Sequence, residues 1–562
     1  MRTFTAQDLH ITTWDDLKWY FENLLGRSID TLPDYQLWLR DRSELESVVS
    51  EDLAWRYVRM TCDTANEEKV QAYTYFISEI EPQISPISNK LDEKALASPF
   101  RKELVGKEYE IMFRNIEKNI VVFREANVPI LSEISQESQK YGAMVGAMTV
   151  EIEGQEVTLQ KAADKLQSTN RSEREEVYYK INDRRLKDAD ALNELYNKLI
   201  GLRHHVAVNA DFINFRDYMF VAMGRFDYTK EDCFAFHQAV QSEVVPLLDI
   251  LAKDRKEKLN LAELKPWDLS VDKSGQPPLK PFETGKDLLE KTIQCFDKLD
   301  VFLGDCLREM KKLDRFDLES RKGKAPGGYN YPMEETGYPF IFMNATSNFR
   351  DMITILHEGG HAVHSVLTKD LELNSFRAIT SEVAELASMS MELITMDHWD
   401  IFFPNEAELK RAKRQHLEQI IETLPWVATI DKFQHWIYEH PVHTTGERKA
   451  EWNKIHSSFS SKQIDWDGLQ SFKDNVWQKQ LHLYEVPFYY IEYGIAQLGA
   501  VAVWKNYREN SEEGLKNYLA ALALGYTKPI KEIYATAGIQ FNFSKEYISE
   551  LMEFVKGELD KL

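Results

Sequence analysis

His357 and His361 stand four residues apart with Glu358 next to the first of them, the pattern H-E-x-x-H. On a helix, residues i and i+4 are about 40° apart around the axis and one turn along it. Two imidazoles so placed can converge on one ion. Neutral imidazole nitrogen suits Zn2+ at ~2.0–2.1 Å. Glu358 lies about 100° around from His357. From there it can reach a zinc-bound water without ligating the ion, which is where a general base belongs. The pattern works only on a helix. Asn348 offers an N-cap, and apolar residues recur at helical spacing beyond it, so a helix is expected over Phe349–Thr368. Gly359 and Gly360 fall inside that helix, where each costs ~1 kcal/mol relative to Ala. Two such residues imply close packing or room for a ligand. The plain alternative is a pair of ordinary histidines on an ordinary helix.

A catalytic zinc site needs a third protein ligand and leaves its fourth position to water. Thr380–Glu392 reads as a capped helix of apolar and small residues that carries Glu382, Glu385 and Glu392 on one face. Such a row is costly if buried, unless a cation compensates it. Spacing does not say which glutamate binds. Glu382 and Glu392 could instead orient the imidazoles, or the row could be a solvated face. His364 reads as a packed or orienting histidine, since a fourth protein ligand would close the site.

The elements that must position these groups are mostly helices. The chain has 562 residues, 43% apolar and 28% charged, which suits a globular protein of two to four domains. Its formal net charge of −22 argues against nucleic acid and against anionic lipid as partners. Cys62, Cys233, Cys295 and Cys306 include no C-x-x-C pair, so neither a zinc knuckle nor a redox motif is expected, and they are too sparse for a disulfide scaffold. No signal peptide or membrane span is read, and the expected compartment is the reducing cytoplasm. Helical periodicity covers Asp15–Arg27, Glu44–Asp63 and Lys90–Lys118. Alternation around Glu153-Gly154-Gln155 predicts a hairpin within Met148–Leu159, and a helix resumes near Ser168 and runs to about Val208. A short strand is expected at Trp267–Val271 and a buried one at Pro339–Asn344. Arg321–Pro332, with three glycines and two prolines, should be irregular.

These residues resemble the thimet oligopeptidase family of zinc endopeptidases. The resemblance rests on His357-Glu-Gly-Gly-His-Ala-Val-His364 followed by Glu385, with Ala384 and Ala387 standing where the family has Val and Pro. Arg321-Lys-Gly-Lys-Ala-Pro-Gly-Gly-Tyr329 is similar to the oligoendopeptidase F branch, which includes Pz-peptidases. The likeness covers roughly residues 165–562. It implies one Zn2+ per chain held by His357, His361 and Glu385, with Glu358 as base. It implies a mainly α, two-lobed helical shell around a deep channel, with a small β-sheet near the H-E-x-x-H helix. It also implies short peptide substrates. The division expected is an N-terminal helical domain over 1–165 and a catalytic domain over 166–562. The family places a His and two Tyr opposite the zinc, which here correspond to His482, Tyr490 and Tyr493. A phenol O–H suits an oxyanion, although Tyr489, Tyr490 and Tyr493 could equally be amphipathic core residues of a helix. Pro339–Asn344 could pair as an edge strand with an extended peptide, and the loop Gly323–Gly328 could move over it.

Two other classes fit the same residues. A metallocarboxypeptidase would need a cation for the terminal carboxylate, and Arg350 and Arg377 are available. A helical scaffold with a coincidental motif would hold no stoichiometric zinc. The sequence sets neither the oligomeric state nor the cleavage preference.

Overall fold

The computed structural model describes residues 2–562. The motif helix runs over Phe349–Thr368, as its cap predicts. Asn348 Oδ1 accepts from the Asp351 N–H at 2.9 Å, and Asp351 Oδ2 accepts from the Asn348 N–H at 3.3 Å. This reciprocal pair satisfies backbone donors that the first turn would otherwise leave open. The glutamate-bearing helix spans Ser381–Ile394 and packs along the motif helix.

The hairpin forms as expected from β1 (Thr149–Ile152) and β2 (Gln155–Thr158). Its two turn residues, Glu153 (φ 53°) and Gly154 (φ 76°), both take the left-handed conformation that matches strand twist. A three-stranded sheet joins β3 (Phe316–Glu319), β5 (Phe340–Ala345) and β4 (Tyr329–Tyr331), in the order β3-β5-β4. β5 pairs parallel with β3 and antiparallel with β4. The strand expected at Pro339–Asn344 therefore exists but is central, and both its edges are taken. The free edge near the motif helix belongs to β4, which arises inside the glycine-rich stretch expected to be irregular.

Three other expectations are corrected. Trp267–Val271 is not a strand. Pro266–Asp268 is a short 3-10 turn in which Asp268 accepts from the Lys265 N–H and binds Arg171 and Arg174. Lys90–Lys118 is two helices, Glu81–Ala97 and Lys107–Val122, parted by Pro99 and by Gly106 at φ 144°. The helix expected from Ser168 to Val208 breaks at Asp188 into Arg171–Lys187 and Ala189–Asn209.

Two large hydrophobic cores result, with two minor clusters beside them. The smaller gathers Leu17, Phe21, Tyr35 and Trp38 of the N-terminal helices with Leu373 and Phe376. The larger runs from Tyr141 to Leu559 and holds the motif helix. Between them lies a cavity of about 610 Å3, lined in part by Arg42, Glu46, Asn374, Thr380, Glu382 and Glu492. The chain is thus mainly α and two-lobed, with small sheets. Among the described residues, no helix is long and apolar enough to cross a membrane.

Candidate metal centre

The two glycines of the motif helix are explained by packing. A Cβ on Gly360 would stand 2.7 Å from both the Ala387 carbonyl oxygen and the Ser388 Cα. Both are backbone atoms of the neighbouring helix and cannot step aside. A Cβ on Gly359 would meet the Phe296 ring at 2.7 Å, and that ring can turn. Glycine thus lets the two helices approach until their side chains share one point. Gly360→Ala is expected to destabilise the fold by ~1–3 kcal/mol. Gly359→Ala should cost less. Denaturant unfolding of the two variants checks the order.

At that shared point, His357 Nε2 lies 3.3 Å and His361 Nε2 3.8 Å from Glu385 Oε2. The two imidazole rings stand nearly perpendicular, 4.9 Å apart. One donor atom from each of the three residues lies within 4.8 Å of the others. A tetrahedral ion with bonds of ~2.0–2.1 Å spaces its ligand atoms about 3.3 Å apart. Two imidazoles and a carboxylate at these separations fit zinc.

The neighbours set the orientation of each donor. His357 Nδ1 donates to Glu392 Oε1 at 2.6 Å, which leaves Nε2 bare on the inner side. Glu392 in turn faces His416, 3.5 Å away. Tyr489 O–H donates to Glu385 Oε1 at 2.8 Å, which leaves Oε2 for the imidazoles. The row of glutamates is thereby resolved. Glu385 points at the two histidines, Glu392 holds the outer nitrogen of one, and Glu382 turns away to the cavity beside Glu492. His364 is fully buried and outside the donor group.

Burial works against a charged His357, but the hydrogen bonds to Glu385 and Glu392 prevail and hold it well above its ordinary value. The pocket therefore demands a cation, whether a proton or a metal. Burial, aided by the charges of Glu385 and Glu392, pushes Glu358 up to about 7. A carboxyl tuned to that range is matched to proton transfer near neutral pH.

Opposite the ligands, the helix Tyr490–Glu509 starts from an unusual turn. Phe488 is buried at φ 68°, a conformation costly for a bulky residue. Its N–H donates to Gln434 Oε1 at 2.6 Å, and its carbonyl accepts from Arg225. Arg225 also binds Glu492 at 3.0 Å. These bonds hold the turn that presents Tyr489, Tyr490 and Tyr493. A directed chain then runs through the site. Trp426 Nε1–H donates to Gln480 Oε1 at 3.0 Å. An indole only donates, so the amide must turn its Nε2 towards His482 Nδ1, 2.7 Å away. His482 therefore carries its proton on Nε2, 3.3 Å from the Tyr493 oxygen. Burial lowers His482 to about 4, so it is a neutral donor. Because His482 donates, the Tyr493 hydroxyl keeps its own proton free for another acceptor. Tyr490 packs edge-on against His482 at 4.9 Å and against Tyr493 at 5.4 Å. All the site residues expected from sequence are thus gathered in one place. Glu392 takes the orienting role that the sequence left open to it, and Tyr489, Gln480 and Trp426 join in orienting roles that no spacing announces.

A family profile for the peptidase M3 N-terminal domain matches residues 4–123, and one for peptidase family M3 matches residues 165–553. The chain belongs to peptidase family M3. Its M3 relatives lie in the oligoendopeptidase F branch. An oligoendopeptidase F homologue of Borreliella burgdorferi is 24% identical over 57% of this chain and 54% of its own. Oligopeptidase PepF of Bacillus subtilis is 23% identical over 57% of this chain and 47% of its own. The chain spans about half the length of the curated relatives it matches. Among solved M3-like structures, Pz peptidase A with an inhibitor is 27% identical, covers 100% of this chain and 99% of its own, and has a TM-score of 0.93. Oligoendopeptidase F from Enterococcus faecium shares the fold at 17% identity and a TM-score of 0.65, covering 98% of this chain and 97% of its own.

Two surroundings of this M3 site bear on substrate. Asn330 Nδ2 of β4 donates to the Glu358 carbonyl at 3.2 Å, so the free strand edge lies beside the centre. The glycine-rich loop before it is tied down. The fully buried Lys324 ammonium donates to Asp317, Glu319 and Met343, and Asn344 Nδ2 donates to the carbonyls of Ala325 and Gly327. A lid motion of Gly323–Gly328 would break these bonds. Arg377 is engaged by the Glu334 carbonyl at 2.7 Å, whereas Arg350 is exposed two turns before His357.

Proposed function

We propose that this chain is a zinc-dependent endopeptidase that hydrolyses internal bonds of short oligopeptides. The convergence of His357, His361 and Glu385 beside the buried carboxyl of Glu358 carries this reading. Zinc held by the three residues would supply Lewis acidity and a nucleophile at neutral pH. Glu358 takes the proton from the attacking water and returns it to the leaving amine. Tyr493 O–H donates to the oxyanion of the tetrahedral intermediate, and His482 Nε2–H holds the phenol in place, with Tyr490 packed against both. The extended peptide pairs with the free edge of β4, its register set by backbone hydrogen bonds. Residues 166–562 form the catalytic domain and residues 1–165 the N-terminal helical domain. Tyr141, Met148 and Val150 of the latter are packed into the larger core. Four free cysteines favour a reducing, cytoplasmic setting.

A quenched peptide blocked at both ends tests the reading. Cleavage is expected, and hydrolysis of only unblocked C-termini would favour a carboxypeptidase using Arg350. Tyr493→Phe is expected to lower kcat ~10²–10³-fold, as loss of one oxyanion donor does. KM should change little. An unchanged kcat would remove Tyr493 from the chemistry.

A further inference from the structure

A second set of metal-type donors lies in the larger core, away from the M3 centre. Cys233 and His237 stand four residues apart on the helix Lys230–Ala239, and Asp431 and His435 stand four apart on the facing helix Glu406–Glu439. The spacing that brings His357 and His361 to one face does the same here, once on each helix. Cys233 Sγ, an Asp431 carboxylate oxygen and a His435 ring nitrogen all lie within 4.8 Å of one another. All three residues are at most 2% exposed.

The group is incomplete as it stands. His237 Nε2 bonds Asp431 Oδ2 at 2.8 Å, and His435 Nε2 stands 3.3 Å from the same oxygen without hydrogen-bond geometry, while Asp431 Oδ1 and His435 Nδ1 have no partner. Phe234, Phe488 and Phe220 surround the His435 ring at 4.9, 5.5 and 6.1 Å. Arg225, the nearby guanidinium, binds the Phe488 carbonyl and Glu492 through Nη2 and makes no hydrogen bond to the three donors. Buried polar atoms are almost always partnered, and a buried oxygen or ring nitrogen without a partner is costly. One cation would satisfy the thiol, the carboxylate and the imidazole at once.

We propose that Cys233, Asp431 and His435 bind a zinc-like divalent cation in a structural site, with His237 fixing the carboxylate. Binding releases the Cys233 thiol proton to solvent. The dication then neutralises one thiolate and one carboxylate, and His435 ligates as neutral imidazole. A thiolate with an imidazole selects a borderline ion over Mg2+ or Ca2+. The site clamps two helices directly under the Phe488 turn, because Gln434, the acceptor for the Phe488 N–H, lies between Asp431 and His435. It rests on no assumption about catalysis.

Full-length protein loaded with Co2+ and freed of excess metal provides the test. Two equivalents per chain are expected, with a near-ultraviolet thiolate-to-cobalt charge-transfer band. The M3 centre offers no thiolate, and Cys233→Ser separates this site from the other three thiols. Cys233→Ser should lose the band, and Glu385→Ala should keep it while losing one equivalent. Wild-type protein without the band overturns the proposal whether or not any variant folds, and so does a band that survives Cys233→Ser.

Discussion

Glu358→Gln is expected to leave metal content unchanged and to lower kcat at least ~10²–10⁴-fold, the range that positioned acid–base catalysis supplies. The substitution keeps volume and polarity but removes the group that accepts the water proton. Glu358 is 7% exposed, so no solvent base can replace it readily. KM should hold, because a neutral amide leaves β4 and its Asn330 contact in place. Metal analysis and single-turnover hydrolysis on one preparation check the result. A kcat within tenfold of wild type would mean that another group takes the proton.

Glu385→Ala is expected to remove the M3 metal and the activity together. Glu385 supplies one of three donors, and its loss leaves His357 and His361 with no anionic partner at the convergence point. The three glutamates of the row should rank clearly. Glu392→Gln should weaken metal binding ~10–100-fold, the usual effect of losing a group that orients a ligand. Glu382→Gln should leave the metal in place, because that side chain faces the cavity. Metal titration of the three variants decides the matter. Retained stoichiometric metal in Glu385→Ala would overturn its assignment as a ligand.

Pairing within one helix was legible from residue types because it is local. The Asn348 cap, the helix to Thr368 and the convergence of His357 with His361 follow from a 3.6-residue period over a few turns. The hairpin at Glu153-Gly154 was legible for the same reason. Errors arose where locality failed. β5 was recognised as a buried strand, but its central place depends on β3 and β4 closing both edges. The helical period of Lys90–Lys118 continues across Pro99 and Gly106, where the chain in fact breaks into two helices.

The amino-acid sequence by itself determined the pair of metal-type donors, the helix that carries it and, through resemblance, the family. Only the tertiary structure decided which glutamate meets the imidazoles. The three share a face by spacing, and the choice turns on how closely Gly360 lets one helix approach the other. The chain Trp426–Gln480–His482–Tyr493 and the Cys233–Asp431–His435 group belong to the same class. Each joins residues from separate elements, and no short-range preference encodes a distance that long-range packing sets.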